Sequence, residues 1–448
     1  MTNDISTAIR TLRLYAEDAQ ALDALAGLKI PEPESADAEK LAKTLAAERA
    51  FHADSNNPEL VIRLIDLEIA LARAPAARAG LLVDKARTLW GELWQLESAR
   101  AALKQALELA PDHSAALAMQ RELDVEDASW QEQAETLSAQ AADAGERPAA
   151  APLFAAEGEL LLRHRSVTEE AEAMIRRSLQ LDAQNRRADF ALERLLRQAG
   201  RSLELGEHLA RRIENASTPD NKCAAELAAG RLAEKMGDAG QAREHYRLAL
   251  MAAPGDERAH FALEHLFAAG GEPSDLIKIY EAALRAAKRG QAEVPVALAL
   301  GEFYWKRLNK LDEAEQSFRR VKKAQPFHPK VIAFYREYYL SRDEIPQLLT
   351  LLGQAQKNET DAEARIRIGI EMATVAERRP QLVEKAIDAW KLLLRIRPGL
   401  PEAVEALRRL YSKAEKWNAL LELLKEQCEA LPAGEIDQKV LCYLDMVP

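Results

Sequence analysis

The chain lacks any apolar run of membrane-spanning length, and its 448 residues include only 19 glycines, 19 prolines, three cysteines and 5% aromatic side chains. Each scarcity closes a class of fold or function. Without a long apolar stretch no spanning helix is expected, and the opening MTNDISTAIR has neither the basic start nor the apolar segment of a secretory leader. No long run of β-branched or aromatic residues alternates with period two, so strands are not expected. The cysteines Cys223, Cys428 and Cys442 are odd in number and not spaced as metal ligands, which suits buried thiols in a reducing compartment. The expected location is the cytoplasm. With 61 basic against 72 acidic residues the formal charge is −11, which repels a phosphate backbone and argues against nucleic acid as the partner.

What is abundant is alanine, leucine, glutamate and arginine, all strong helix formers. Almost pure α-helix is expected. A chain of this length is two or three ordinary domains or one elongated array, and this composition favours the array.

A periodicity settles the organisation. In the stretch GDAGQAREHYRLALMAAPGD, Ala242, Tyr246, Ala249 and Leu250 fall at helical spacing. Ala242 belongs to a series, Ala99, Ala171, Ala242, Ala314 and Ala386, at intervals of 72, 71, 72 and 72. Four residues on stands a bulky apolar side chain each time: Leu103, Ile175, Tyr246, Phe318 and Trp390. Twelve residues on, the helix is expected to stop, at Pro111, Ala183, Pro254, Pro326 and Pro398. A shorter echo of 34 residues carries Tyr246, Ala249 and Leu250 to Tyr280, Ala283 and Leu284, so each unit is two helical hairpins. In the second hairpin Phe267, Tyr339 and Tyr411 mark the first helix, and the second opens at Trp130, Ser202, Pro273, Ile345 and Trp417.

The pattern has a packing rationale. A small residue lets a neighbouring helix approach, and a large one a turn later fills the space beside it. Ala242 is then the notch and Tyr246 the plug, with Gly230 the small position on the partner helix. Gly237 ends that helix and Asp238 caps the next. Gly230, Ala242, Tyr246, Ala249 and Pro254 resemble the tetratricopeptide repeat at its small, small, aromatic, small and proline positions. Ala99, Leu103, Ala106 and Pro111 fit the same frame, with Trp90 at its first-helix aromatic. So do Gly301, Tyr304, Ala314, Phe318 and Pro326, given one extra loop residue. The second hairpins match loosely, because Leu276, Leu348 and Leu420 replace the small residue. The alternation is similar to large Ala- and Arg-rich repeat arrays of some bacteria. The resemblance implies an all-α fold, an α-solenoid of stacked antiparallel helix pairs.

The expected division is 1–75 as an N-terminal helical cap or degenerate repeats, 79–433 as an array of about ten hairpins, and 435–448 as a cap or the first helix of an incomplete repeat. In the first region, helices are expected near Asp4–Leu28, Ala36–His52 and Pro58–Arg73, broken by KIPEPES and ADSNNPEL. The apolar QKVLCYLDMVP favours a longer array continuing past residue 448, since caps present a polar outer face.

Chemistry is hard to place on this pattern. His260 and His265 are five apart, so a helix turns them to different faces rather than pairing them on a metal. No glycine-rich phosphate loop, GxSxG elbow or Cys with a credible His partner is present. Neither a cofactor, a metal nor a catalytic residue is expected, and no reaction. Cys428 sits at a core position, Trp130 and Trp417 at hairpin packing positions, and RRVKK at 319–323 at a helix end, where cations suit the dipole.

By the resemblance, the first helices line a concave face and carry partner contacts. Their non-core positions are Arg231, Lys235, Arg258, His265, Trp305, Lys306, Lys330 and Glu337. The set is basic, and a positive groove on an acidic chain selects an acidic peptide. The Lys and Asn pair that would clamp a C-terminal carboxylate is missing, with Asp84, Thr88, Leu227 and Arg231 in its place. The expected function is a non-enzymatic scaffold or adaptor for proteins or peptides. A self-assembling homo-oligomeric element and the regulatory part of a longer machine are the alternatives.

Overall fold

The computed structural model describes residues 2–31, 35–165, 169–287 and 293–430. Among them are 23 α-helices and no strand. The chain divides into two units at Ile279–Tyr280, inside one helix.

The first unit begins with α1 (Thr2–Leu14), α2 (Ala19–Ala26), α3 (Ala36–Asp54) and α4 (Pro58–Leu71). Where one helix was expected over Asp4–Leu28 there are two. Asp18 takes a non-helical conformation and its carboxylate accepts from the Ala21 amide at 2.8 Å, a side-chain cap that starts a new helix. The break leaves Tyr15 just beyond the last turn of α1. Helix pairs follow: α5 (Pro75–Gly91) with α6 (Leu96–Leu109), α8 (Ala151–Arg165) with α9 (Glu169–Leu181), α10 (Arg186–Gln198) with α11 (Ser202–Glu214), α12 (Pro219–Lys235) with α13 (Ala239–Ala252). Between the first two pairs, α7 (Ser114–Ala144) is kinked at Ser129, one residue before the helix start expected at Trp130. The unit ends with α14 (Glu257–Ala268) and the first part of α15 (Pro273–Ala286).

The second unit continues with α16 (Val294–Glu302) and α17 (Leu311–Ala324), α18 (Pro329–Ser341) and α19 (Ile345–Asn358), α20 (Ala362–Glu377) and α21 (Val383–Ile396), and α22 (Pro401–Lys413) and α23 (Trp417–Ala430). Each unit is a stack of antiparallel helix pairs, the architecture of an α-solenoid. The helices that carry the alanine series end at Leu109, Leu181, Ala252, Ala324 and Ile396, two residues before the expected stops.

The fit of small against large is what closes each first hairpin. Ala99, Ala171, Ala242, Ala314 and Ala386 are all 0% exposed, and every plug four residues on is buried. Facing them on the first helix is a second row of small residues, Ala86, Gly158, Gly230, Gly301 and Ala373, all buried. A Cβ on Gly230 would lie 2.6 Å from Tyr246 Cδ1, one on Gly301 2.9 Å from Phe318 Cε2, and one on Gly158 2.8 Å from Ile175 Cγ1. No room remains for a methyl group, so the ring packs on the bare backbone.

One expected detail is different. The extra residue between Gly301 and Ala314 sits in the helix, as a π turn over Phe303–Arg307, and not in the loop. Helical bonding survives because the Leu308 amide reaches the Phe303 carbonyl at 3.2 Å, the five-residue spacing that absorbs a single insertion. Trp417 also departs from expectation. It opens α23 but is 61% exposed, and Leu423 and Leu424 carry the buried side of that helix. The Cys428 side chain and the segment 435–448 lie outside the described residues.

Gly230→Ala sets a helix-propensity gain of about 1 kcal/mol against an overpacking cost of about 1–3 kcal/mol. The ring is hemmed in on all sides, so the cost prevails. At Gly91 nothing lies within 4 Å of an added Cβ, and Gly91→Ala is expected to be neutral or stabilising by up to about 1 kcal/mol. The urea midpoint should fall for Gly230→Ala and hold or rise for Gly91→Ala; a Gly230→Ala midpoint that holds or rises contradicts the close-approach account.

Candidate functional site

The break after α1 delivers Tyr15 to α12 and α14, where it meets Glu234 and His265. On α12, Gly230 serves the hairpin and the next residue, Arg231, meets α1. Its Nη1 donates to the Leu14 carbonyl at 2.7 Å, which caps the C-terminal end of α1 with a cation. One turn on, Glu234 accepts from the Tyr15 hydroxyl at 2.9 Å and also from the hydroxyl of the plug Tyr246. Tyr15 lies 5.1 Å from the ring of His265, whose Nδ1 is 3.3 Å from the phenol oxygen. Arg10 stacks 4.7 Å over Phe261 and approaches Glu264 at 3.6 Å.

A second anchor lies at the end of α3. Asn56, 1% exposed and left-handed at φ 57°, donates to Glu193 at 3.1 Å and accepts from Arg194 at 2.7 Å. Arg258 clamps Asp256 and stacks 5.2 Å over Phe51. Arg13 holds Glu48 in a bidentate pair at 2.9 and 2.6 Å. Burial raises the Glu193 carboxyl, but Arg197 and Arg212 outweigh it and hold the group at about 2. Burial, then Arg13, Arg231 and Arg258, lowers His52 to about 4. Burial beside Glu234 pushes both Tyr15 and Tyr246 up, so both stay protonated donors.

The structure brings Arg231, Lys235 and His265 to the wall of one cleft and sets Arg258 beside Phe51, and the chain's own N-terminal segment lies against them. Arg231 is not an exposed groove cation; burial lowers its pKa, and it is spent on Leu14. Lys235 is exposed and sits 3.8 Å from Glu17. In the second unit Lys306 and Lys330 both reach Glu302 at 2.7 Å. Trp305 is half-buried and packs edge-on against Phe318 and Phe334 at 6.0 and 5.6 Å, so it belongs to the hairpin core more than to a groove. Glu337 is exposed and makes no ion pair among the described residues. RRVKK is structural too: Arg319 pairs with Glu315, and Lys322 lies 4.2 Å over Tyr335.

Sequence reading missed Tyr15, Asn56, Glu193 and Glu234. The available signals were Asp18, a cap in mid-helix, and Asn56-Asn57, which was read only as a breaker. A cleft of about 420 Å³ remains between the turn Tyr15–Asp18 and α10–α12, floored by Leu196, Leu205, Leu209 and Leu232. Among the described residues no three His, Cys, Asp or Glu side chains converge as a metal site, and no helix is long and apolar enough to cross a membrane.

No protein-family model and no curated protein matches the chain. Solved structures similar to it include Pseudomonas aeruginosa PilF, at 15% identity and TM-score 0.26, covering 59% of this chain and 100% of that one. The Cut9 and Hcn1 hetero-tetramer of the APC/C matches at 15% and 0.25, over 96% and 92% of the two chains. Yeast Tom70 matches at 13% and 0.25, over 99% and 94%.

The lowered His52 gives this face a pH signature. In the unfolded chain the imidazole takes up a proton below its ordinary value near 6.5, whereas the folded chain refuses it until about 4. Its contribution to stability is present above 6.5 and is lost as pH falls towards 4, by at most about 3 kcal/mol. Urea midpoints of the natural chain minus those of His52→Gln should shrink steadily from pH 7 to pH 4.5. A difference that is constant over that interval removes the assignment.

Proposed function

We propose that the chain is a non-enzymatic scaffold that binds partner proteins or peptides on its first-helix faces. The observation that supports this reading is the seating of α1 on α12 and α14. That face caps the helix end, accepts the hydroxyl of its terminal tyrosine, and stacks on its arginine. A helical repeat turned outward in this way recognises a helix by its end and one side. The wider reading is a cytoplasmic protein in which residues 1–75 form an N-terminal helical cap or degenerate repeats and the hairpins that follow form the array.

In the second unit the preference is for acidic groups. Lys306 and Lys330 are each more than half exposed while held by Glu302. The exposed ammonium groups of Lys306 and Lys330 keep donors free for a partner carboxylate while Glu302, 19% exposed, stays paired with them. A second reading, self-association, is favoured by Trp417 and Leu421, which stand 61% and 37% exposed one turn apart on α23. A mass that rises with concentration and falls on Trp417→Glu would carry that reading over the first.

The test is quantitative capture from native lysate with the full chain and with Lys306→Glu/Lys330→Glu. At least one partner should drop tenfold or more with the double variant. Capture of every partner at unchanged level rules out this face.

A further inference from the structure

We propose that α1 with Tyr15 is an intramolecular ligand in a helix-binding site of α12 and α14, and that a partner helix of the same chemistry takes the site by displacing it. The proposal rests on the scaffold reading and names the occupant of one of its faces.

The two sides of α1 have different partners. Its apolar side, Ala8 and Leu12, joins Ala21, Leu25, Leu45, Leu60 and Leu64 in a core formed by α1–α4 alone. Its other side meets α12 and α14 through polar and stacking contacts: Arg10 with Glu264 and Phe261, the Leu14 carbonyl with Arg231, Tyr15 with Glu234. The apolar side of α1 thus has a core of its own, and its other side is seated by ionic and stacking contacts around the buried Leu14, a mixed polar interface of the exchangeable kind. Arg10 is 51% exposed in its pair with Glu264, and the Lys235–Glu17 pair is exposed on both sides; such pairs release readily.

A cleft of about 420 Å³ lies below the Tyr15–Asp18 turn, walled by Leu205 and Leu209, which are already buried in the neighbouring core, and by the partly buried Leu232. The chemistry of the seated segment defines the competitor: an amphipathic helix with an arginine five residues before a tyrosine, and its last carbonyls free at the tyrosine end.

The probe is a fluorescent peptide of residues 2–18, added to the full chain. Against the natural chain it meets an occupied site. Against the full chain carrying Arg10→Glu and Tyr15→Ala, which loosen the dock but leave the apolar side of α1 intact, its affinity should rise at least tenfold. Adding Glu234→Ala and Phe261→Ala on the receiving face should remove that gain. Equal binding to the natural and loosened chains overturns the proposal. Should the variants not fold, 3-fluorotyrosine at position 15 of the otherwise natural chain answers the same question. Excess peptide then moves the fluorine resonance from its docked to a solvent position, and a resonance unmoved at saturating peptide overturns the proposal. A failed capture experiment with Lys306 and Lys330 leaves both readouts intact, so the two readings fail separately.

Discussion

Everything in the first hairpins depends on one contact, an aromatic or branched side chain pressed onto the bare backbone of the helix opposite. Tyr246 on Gly230, Ile175 on Gly158 and Phe318 on Gly301 show it, each with an added methyl group falling within 3 Å of the side chain. Such contacts fix the separation of two helices, because a core packed at crystal-like density cannot slide to relieve a clash. With the separation fixed, the residue after the small one has no room between the helices and turns to the far side. Arg87, Glu159, Arg231, Glu302 and Thr374 occupy that position along the chain.

The same contact reaches the N-terminal site. Tyr246 is a plug by its ring and a donor by its hydroxyl, and the carboxylate that accepts from it, Glu234, also accepts from Tyr15. A part-buried carboxylate between two phenols is stable because each donor replaces a lost water, and removing one leaves the group under-satisfied. Docking of the N-terminal segment is therefore coupled to the core of the hairpin formed by α12 and α13, through a single shared acceptor. A partner that displaced Tyr15 would be sensed at that core.

The repeat was legible because its signal is local and periodic. Alanine and a bulky residue four apart, then a stop, recur five times, and every one of those alanines is fully buried. The facing row was legible only at Gly230 and Gly301, since Ala86 and Ala373 hide among many alanines and mark nothing by type. The site was harder for a different reason. Tyr15 and Glu234 are 219 residues apart, as Arg231 and Leu14 are 217, and no periodicity within a repeat encodes which distant segment will be laid on it. Two of the expected partner positions, Arg231 and His265, meet the chain's own Leu14 and Tyr15 instead, because charges were read as if each faced water. A one-sided cap at Asp18 was the visible clue that the segment before it ends early.

That misjudgement has a general form. A net charge of −11 describes how the chain meets distant ions, but recognition at a helix face is set over a few ångströms, where each cation is measured against its own neighbours. Arg231 is consumed by a carbonyl, Lys306 and Lys330 by one glutamate, Arg258 by Asp256. What distinguishes one repeat from the next is then whether the position after the small residue carries a donor or an acceptor. Arg231 as donor selects the end of a helix. Glu302 as acceptor selects ammonium groups and presents them outward. Since the packing contact leaves that position free of core duties, it can differ between repeats without changing the fold, and a face with distinct requirements at each step is the result.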